Sequence, residues 1–293
     1  MSKTNIEWCK RPGTLPEVWN VVTGCTKVSQ GCKNCYAEVM HRRLQGMYPQ
    51  KYQQDFLLGA VEHEELLTLP LKWKTPRTVF VNSMSDLFHE NISFEFINAV
   101  FTVMSDLSQH TFIILSKRAQ RMFDFSIWKK ENVGIQWRPS DNVWLGVSIE
   151  NQETADERIP YLLKIPSKVR LLSCEPLLGP IDLEKVEYIP NGYKDVLNGF
   201  SYNKWGIDDT KTAKIDWVIV GGESGHKARS LNYYWVNKIK VQCKEANIPF
   251  FFKQWGEYFP TVLNNVGLHR YDKVGKKKAG NKIDDEVFQE FPV

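Results

Sequence analysis

The stretch that decides the fold reads Thr78-Val79-Phe80-Val81-Asn82-Ser83-Met84-Ser85-Asp86. Its first half is a short apolar run rich in β-branched residues, which predicts a buried strand over 78–82. Its second half is polar and ends on a carboxylate. The same pattern recurs at 111–118, 142–151, 168–176 and 216–225. Continuous apolar strands of this kind are typical of a parallel sheet that is covered by helices.

Helical segments separate these strands. A helix is predicted from about residue 94, because one face of it carries apolar residues at i, i+3, i+4 and i+7, namely Ile97, Val100, Phe101 and Met104. A second such face is formed by Val236, Ile239, Cys243 and Ala246. Shorter strands are predicted at 20–23 and 249–252, which brings the series to six or seven units.

We therefore predict an α/β protein with a partial (β/α)6–7 barrel of parallel strands over residues 1–260. The alternative is a doubly wound open sheet, which binds its ligand where the strand order reverses. No Gly-x-Gly-x-x-Gly follows the first strand to favour that alternative. A polar segment at 185–214 is predicted to be an insertion that either caps the site or forms a surface loop. Residues 261–293 are predicted to be a C-terminal tail, whose three lysines at 276–278 are expected to be solvated.

The polar residues that follow the strands are the candidate site residues, because the carboxyl ends of barrel strands form the site in such folds. They are Ser83, Ser85, Asp86, Lys117, Ser148, Glu150, Cys174, Glu175 and Glu223. Glu175 is the strongest polar contact among them, since a carboxylate between an apolar strand and a proline is rarely buried without a partner. Structural ion pairs are the alternative role for Glu175 and Glu223.

Three of the six cysteines lie within eleven residues. They form a C-x6-C-x2-C pattern in Gly24-Cys25-Thr26-Lys27-Val28-Ser29-Gln30-Gly31-Cys32-Lys33-Asn34-Cys35-Tyr36. A secreted disulfide scaffold would be shorter, denser in cysteine and preceded by a signal peptide. Clustered cysteines in a reducing compartment are metal ligands or catalytic thiols more often than free core residues.

The number of thiols separates the metal hypotheses. Three thiolates can hold a [4Fe–4S] cluster and leave one iron open to a substrate or cofactor. Structural zinc takes four protein ligands, and Cys9 or His41 could supply the fourth. Three buried cysteines without a ligand are the remaining interpretation.

Composition excludes several classes of protein. The 293 residues are 42% hydrophobic and carry a net charge of +4, which argues against a disordered or polyanion-coating chain. No apolar stretch approaches the ~18–20 residues of a membrane span, and the N-terminal residues lack the apolar region of an export signal. We expect a protein that does not act at a membrane.

Several motifs in order resemble a known family. They are Ile6-Glu7-Trp8, Val22-Thr23-Gly24-Cys25, Cys32-Lys33-Asn34-Cys35-Tyr36-Ala37-Glu38, Asn82-Ser83-Met84-Ser85-Asp86-Leu87-Phe88-His89, Leu115-Ser116-Lys117-Arg118, Trp144-Leu145-Gly146-Val147-Ser148-Ile149-Glu150-Asn151, Ser173-Cys174-Glu175-Pro176-Leu177-Leu178-Gly179-Pro180, Val220-Gly221-Gly222-Glu223-Ser224-Gly225 and Phe251-Phe252-Lys253-Gln254-Trp255-Gly256. Over about residues 5–258 the chain resembles the three-Cys-motif family of bacteriophages and prophages. That family is similar to the radical S-adenosylmethionine superfamily and, within it, to spore photoproduct lyase.

The resemblance implies a [4Fe–4S] cluster bound by Cys25, Cys32 and Cys35, together with S-adenosylmethionine as a second cofactor. Cleavage of that cofactor would give a 5′-deoxyadenosyl radical. The sequence departs from the superfamily in two places. The first gap between cysteines is six residues instead of the usual three, and Asn34 stands where an aromatic residue often packs against the adenine. Tyr36 would take over that packing.

The resemblance also assigns roles at the strand ends. Ser83, Ser85 and Asp86 would hold the amino group of methionine, because a buried cationic amine needs oxygen partners. Five further residues would serve the carboxylate, the ribose and the substrate, namely Lys117, Ser148, Glu150, Glu175 and Glu223. Cys174 would donate a hydrogen atom to a product radical, as a cysteine does in spore photoproduct lyase. A small buried residue is the alternative role for Cys174.

The implied function is that of an isomerase or lyase which modifies, rearranges or repairs a nucleic-acid base. The first candidate is a hypermodified thymine in phage DNA. The implied partners are DNA or a modified nucleotide, an electron donor and a separate phage-encoded protein, in the cytoplasm of the bacterial host. The alternative function is a non-catalytic, zinc-binding phage protein that binds nucleic acid or a partner.

Overall fold

The computed structural model describes residues 4–134, 137–203, 206–208, 212–263 and 268–292. The chain divides into two compact units. Unit 1 is Met1–Val147 with Lys164–Arg170, and unit 2 is Ser148–Leu163 with Leu171–Val293. In the described residues no helix combines the length and the apolar character that crossing a membrane requires.

Unit 1 holds the first six strands and three helices. In chain order they are β1 (Leu15–Trp19), β2 (Val22–Thr23), α1 (Tyr36–Met47), β3 (Val61–Glu62), β4 (Arg77–Val81), α2 (Phe94–Asp106), β5 (Thr111–Ser116), α3 (Ala119–Val133) and β6 (Val143–Ser148). β1, β4, β5 and β6 are parallel neighbours, with Val18 opposite Phe80 and Phe80 opposite Ile113.

Unit 2 holds the remaining elements. They are α4 (Gln152–Lys164), β7 (Arg170–Cys174), β8 (Val186–Ile189), β9 (Gly192–Asp195), β10 (Phe200–Asn203), β11 (Gly206–Asp208), β12 (Trp217–Gly221), α5 (Tyr233–Glu245), β13 (Phe250–Gln254), β14 (Tyr258–Leu263), β15 (Leu268–Lys273), α6 (Lys276–Ala279), β16 (Lys282–Ile283) and β17 (Glu286–Val287). β7, β12 and β13 are parallel neighbours.

Seven parallel strands belong to one sheet, in the order β1-β4-β5-β6-β7-β12-β13. The predicted α/β class with a parallel sheet is therefore confirmed. Six of these strands lie within two residues of the apolar runs that predicted them. The runs worked as a signal because these strands are buried on both faces, and β12 is buried at all five of its residues.

The first strand of the parallel sheet was predicted at the wrong position in the sequence. The run at 20–23 gives only β2, which pairs antiparallel with β3 instead of joining the parallel sheet. The first parallel strand is β1, where Pro16 and Glu17 interrupt the apolar pattern. Glu17 is buried because Arg77 donates to it over 2.8 Å. Pro16 is tolerated because β1 is an edge strand, where one N–H group of each residue pair needs no partner strand and proline has no N–H to donate.

The helix face predicted in α2 is confirmed, since Ile97, Val100, Phe101 and Met104 are all buried. The face predicted in α5 is confirmed for Val236, Ile239 and Cys243, whereas the predicted Ala246 follows the last residue of the helix and is only half-buried. α2 begins where the Ser93 hydroxyl accepts a hydrogen bond from the backbone of Phe96, a common helix cap. Most of the free energy that holds these helices comes from burying such faces.

Two predicted peripheral segments have structure of their own. The insertion at 185–214 contains β8 to β11, which form an antiparallel sheet in the order β11-β10-β9-β8. In the predicted tail, β15 pairs antiparallel with β14 and β16 with β17. Beyond β17 the chain returns to β13, where Phe252 N donates to the carbonyl of Phe288 over 2.7 Å. Glu290 accepts there from Phe250 N and from the indole of Trp217, both over 2.9 Å.

Asn82 connects the end of β4 to the segment that leads into the cysteines. Its side-chain oxygen accepts from the backbone N–H groups of Val21 and Val22, over 3.0 and 3.1 Å. Its own backbone N–H donates to Trp19 O over 2.9 Å. The residue has a φ of 59°, which asparagine adopts more readily than most residues. One side chain thus fixes the turn between β1 and β2.

Asn82→Ala should lower the free energy of unfolding by at least about 3 kcal/mol. Two buried N–H groups would lose their acceptor, at ~1–3 kcal/mol each, and alanine would be strained at this φ. Urea denaturation measures the change. The matched control is Asn247→Ala, because Asn247 has a similar φ of 53° on the surface. That control should lose only about 1–2 kcal/mol, and equal losses would contradict the role of the two hydrogen bonds.

Candidate functional site

A glycine starts the cysteine loop, which we define as residues 24–35. Gly24 has a φ of 80°, and a Cβ atom there would lie 2.2 Å from the carbonyl oxygen of Gly59. Only glycine allows that approach. Cys25 N then donates to Phe56 O over 2.9 Å, and Gly24 forms a bridge to Ser85 after β4. The loop is thus attached at its start to the carboxyl end of the parallel strands.

The three cysteines of the loop occupy one neighbourhood. All are half-buried, and Cys25 and Cys35 pack against the same small apolar cluster of Ala37, Phe56 and Met84. Burial raises the pKa of Cys25 to about 12, and the charge of Asp86 adds to the rise. Burial also raises the pKa of Cys35. The charge of Cys32 raises the pKa of both other thiols, so its sulfur lies within electrostatic reach of each.

Arg118 connects this loop to the rest of unit 1. Its guanidinium donates to Cys25 Sγ over 3.6 Å and to the hydroxyl of Thr26 over 2.8 Å. It also donates to Asp86 over 3.3 Å and to Glu90 over 2.9 Å. The side chain is only 5% exposed. Burial acts to lower the pKa of Arg118, but the charges of Asp86 and Cys25 outweigh it and raise that pKa.

Asp86 lies at the centre of this network. Besides Arg118, its carboxylate accepts from the Ser116 hydroxyl over 2.8 Å and from the backbone N–H groups of Lys117 and Phe88, each over 3.0 Å. These donors provide the buried carboxylate with the hydrogen bonds that it would otherwise make with water. The three strand ends that the sequence singled out therefore meet, since Asp86 follows β4, Lys117 follows β5 and Cys25 follows β2.

The other predicted residues of unit 1 also contact the loop or its supports. The Ser85 hydroxyl donates to Val22 O over 2.8 Å, and that of Ser83 donates to Asn20 Oδ1 over 3.1 Å. The Tyr36 phenol donates to the carbonyl of Ser83 while the ring remains largely exposed. The positive charge of Lys117 opposes the rise in the Cys35 pKa that burial causes. In this structure Ser83, Ser85 and Asp86 hold protein groups in place.

Thiols are the ligands that an iron–sulfur cluster requires, and the cysteine loop carries three of them. Three thiols lie near one another, and the buried cation of Arg118 is placed to balance the negative charge that cysteine ligation creates. Within the ranges that the structure describes, no three His, Cys, Asp or Glu side chains converge on a position for one metal ion.

The two residues considered as a fourth zinc ligand lie in the interior. Cys9 is fully buried at the end of the short turn Glu7–Cys9. His41 is buried in α1, where its Nε2 lies 2.9 Å from Gln54 O and its ring packs on Tyr52 and Phe56. Neither residue completes a set of metal ligands in the described part of the chain.

Unit 2 contains three carboxylates that follow β6, β7 and β12 in the sequence, and each is paired with a cation. Glu150 and Arg158 lie 3.2 Å apart and are almost fully buried. Lys253 Nζ lies 2.9 Å from Glu175. Glu223 accepts from the backbone N–H of Arg229 over 2.8 Å and from its Nε over 2.9 Å. The predicted Ser148 contributes its carbonyl, which accepts from Arg158 over 2.7 Å.

Glu175 is the least enclosed carboxylate of these three. It is half-buried, accepts from the Ser173 hydroxyl over 3.3 Å, and faces Gly221, where an added Cβ would lie 2.8 Å from its Oε1. Cys174 beside it is fully buried, and burial raises its pKa further than the nearby charges do. Cys174 is therefore a neutral thiol enclosed by protein.

Sequence reasoning missed the cations of both units. Arg118 stands next to the predicted Lys117, and its position directly after a strand was the available signal. Arg158, Arg229 and Lys253 lie eight, six and 78 residues from their carboxylates in the sequence. No spacing rule connects such pairs, because they meet through the fold of unit 2.

Comparison with known proteins gives one match. A family model described as "Protein of unknown function (DUF5131)" matches residues 3–292. No curated protein and no solved structure matches the chain.

Arg118→Met should lower the free energy of unfolding by about 3–5 kcal/mol, because it leaves the buried Asp86 without its cation. Urea denaturation measures this loss. The control is Arg138→Met, which removes an exposed pair with Asp141 and should change stability by no more than about 1 kcal/mol. Similar losses in the two variants would show that the Arg118 network does not stabilise unit 1.

Proposed function

The chain belongs to the DUF5131 family, and we propose that it is a radical S-adenosylmethionine enzyme whose [4Fe–4S] cluster is bound by Cys25, Cys32 and Cys35. The observation that carries the proposal is the arrangement of the cysteine loop. Three thiols share one half-buried neighbourhood, and a buried guanidinium contacts one of them beside the ends of two parallel strands. Isolated core cysteines would need no such cation, whereas an anionic iron–sulfur site would benefit from it.

When bound, the cluster and S-adenosylmethionine would supply a one-electron reductive cleavage that yields the 5′-deoxyadenosyl radical. The protein's own contribution is to position groups and exclude water. Gly24 and the Cys25–Phe56 hydrogen bond fix the start of the loop. Thr26 follows Cys25 in the loop, and the Arg118 guanidinium donates hydrogen bonds to its hydroxyl and to its carbonyl, over 2.8 and 3.2 Å.

Electrostatic balance is the second task of these residues. Arg118 faces Cys25, and Lys117 lies within electrostatic reach of Cys35. Both cations favour the deprotonated thiols that metal binding requires. Asp86 accepts hydrogen bonds from the guanidinium of Arg118 and from the backbone N–H of Lys117. We therefore assign Asp86 first to positioning the Arg118 cation and the backbone that carries Lys117, and its predicted contact with the methionine amino group remains part of the proposal.

The substrate in this proposal is a DNA base, and the first candidate is a hypermodified thymine in phage DNA. The reaction would be a rearrangement or a lyase-type repair. This part rests on the resemblance to the three-Cys-motif family. In unit 2 we propose Glu175 as the polar contact to substrate, because it is the least enclosed of the paired carboxylates.

Anaerobic reconstitution with iron and sulfide should give a brown protein with the metal content of one [4Fe–4S] cluster. Cys25→Ala, Cys32→Ala and Cys35→Ala should each lose that content, because three thiolates are the minimum for this kind of site. Iron and sulfide analysis together with electron paramagnetic resonance measures it. Cys9→Ala is the control and should keep full iron. A colourless zinc protein that loses its metal on Cys9→Ala or His41→Ala would instead establish the zinc-binding alternative.

With a verified cluster, dithionite and S-adenosylmethionine should release 5′-deoxyadenosine and methionine. Absence of both products would contradict the proposed chemistry. The substrate is tested separately: phage DNA is treated with the active enzyme, digested, and its nucleosides are compared by mass spectrometry. Unchanged nucleosides alongside released 5′-deoxyadenosine would reject the DNA substrate and leave the cofactor chemistry in place.

Cys174→Ala should retain nucleoside modification and lose about 1 kcal/mol of stability, since the enclosed thiol packs against protein. The matched control is Cys243→Ala, which removes another fully buried thiol of unit 2. The two variants should give the same ratio of modified nucleoside to 5′-deoxyadenosine. A Cys174→Ala enzyme that releases 5′-deoxyadenosine without modified nucleoside would assign hydrogen-atom transfer to Cys174.

A further inference from the structure

α1 begins directly after Cys35 and exposes most of its surface. Only Ala37 and His41 of its twelve residues are buried. The exposed residues include large apolar side chains: Val39 is 70% exposed and Met47 is 61% exposed. A helix on a protein surface normally turns its apolar residues inward. α1 therefore carries apolar side chains on a side that no described residue buries.

These residues lie on one side of the helix. Tyr36, Met40, Arg43 and Met47 are spaced by four, three and four residues, which aligns them along the helix. Val39 lies beside this stripe, and we call the five residues the α1 face. Ala37, His41 and Leu44 have the same kind of spacing on the inward side, where Ala37 and Leu44 belong to the cluster around Phe56.

The same segment holds the excess charge of the protein. Residues 25–51 contain five cations and one anion, Glu38, which gives a net charge of +4. The whole chain also has a net charge of +4, so the remaining residues balance one another. Lys27 and Arg42 pair with Glu38. Lys33 and Arg43 are exposed, and in the described part of the chain neither forms an ion pair.

The composition of the α1 face favours a protein as its occupant. Methionine, tyrosine and arginine are enriched in protein interfaces, and methionine adapts to varied partners. Sites for single-stranded nucleic acid depend on aromatic rings on which bases stack. The α1 face offers one ring, Tyr36, and its phenol is held by Ser83. A positive surface of this kind attracts a partner with an acidic surface.

We propose that the α1 face docks an acidic one-electron donor protein, of the flavodoxin or ferredoxin class. This inference rests on the proposed function, which needs an electron from outside the chain. One electron would leave the donor's reduced flavin or iron–sulfur group and enter the centre bound by the cysteine loop, with no atom transferred. Tyr36 follows Cys35 directly, so a partner on this face approaches the loop closely.

Binding is tested with purified flavodoxin and ferredoxin as probes against the metal-free chain, by titration at low and high salt. We expect binding that weakens as salt rises. Arg43→Glu and Met47→Asp should each weaken it at least about tenfold, as changes at an interface centre do. The matched controls are Lys277→Glu and Leu268→Asp, which make the same chemical changes at exposed positions of unit 2. Circular dichroism verifies that all four variants are folded.

Turnover separates docking from cofactor chemistry. In the loaded enzyme, Arg43→Glu and Met47→Asp should lose flavodoxin-supported release of 5′-deoxyadenosine and retain dithionite-supported release. No release with dithionite would reject the proposed function, while the binding titration still judges the docking surface. Absence of binding to both probes, or equal binding by variants and controls, would overturn the inference. A single-stranded oligonucleotide that binds with the same dependence on Arg43 and Met47 would also overturn it.

Discussion

The buried guanidinium of Arg118 is the group on which the candidate site depends. Moving such a charge from water into protein costs several kcal/mol unless good partners replace the water. Here the partners come from two separate segments: the cysteine loop, and the connection between β4 and α2, which supplies Asp86 and Glu90. The loop cannot leave this position without exposing or unpairing a charge. The conformation of residues 25 and 26 is therefore tied to the folding of the parallel strands, although the loop itself contains little regular structure.

Unit 2 also places charged side chains away from water, but there each carboxylate has a separate cation as its partner. Glu150, Glu175 and Glu223 are each neutralised by their own cation, at very different degrees of burial. The Glu150–Arg158 pair is enclosed, so it serves the architecture first. Glu175 and Lys253 are within reach of solvent, and a bound ligand could exchange places with either charge at lower cost. The position of a polar residue directly after a strand therefore identifies it as a candidate site residue. Its degree of burial then separates an enclosed ion pair such as Glu150–Arg158 from a solvent-accessible one such as Glu175–Lys253.

Much of the sheet could be predicted from the sequence because its strands are buried on both faces and read as unbroken apolar runs. β1 escaped prediction because Pro16 and Glu17 break that run, and only Arg77, 60 residues away, makes the buried Glu17 acceptable. The spacing of the three cysteines is the basis of the proposal that they are metal ligands. Arg118 could not be assigned its role, since a lone arginine after a strand gains meaning only when Asp86 and the cysteine loop are seen around it. The sequence pattern also could not place the sulfur atoms, which depend on the backbone of a glycine-initiated loop.

The return of residues 288–290 to β13 has a consequence for synthesis on the ribosome. β12 and β13 leave the ribosome well before Phe288 and Glu290, which accept hydrogen bonds from them. Phe288 accepts from Phe252, and Glu290 accepts from Phe250 and Trp217. Until those residues leave the exit tunnel, unit 2 presents an unpaired strand edge of phenylalanines, the kind of surface that chaperones protect. Unit 1 has no such late partner within β1, β4 and β5. The two units should therefore mature in sequence, with the cysteine loop in place before unit 2 is complete.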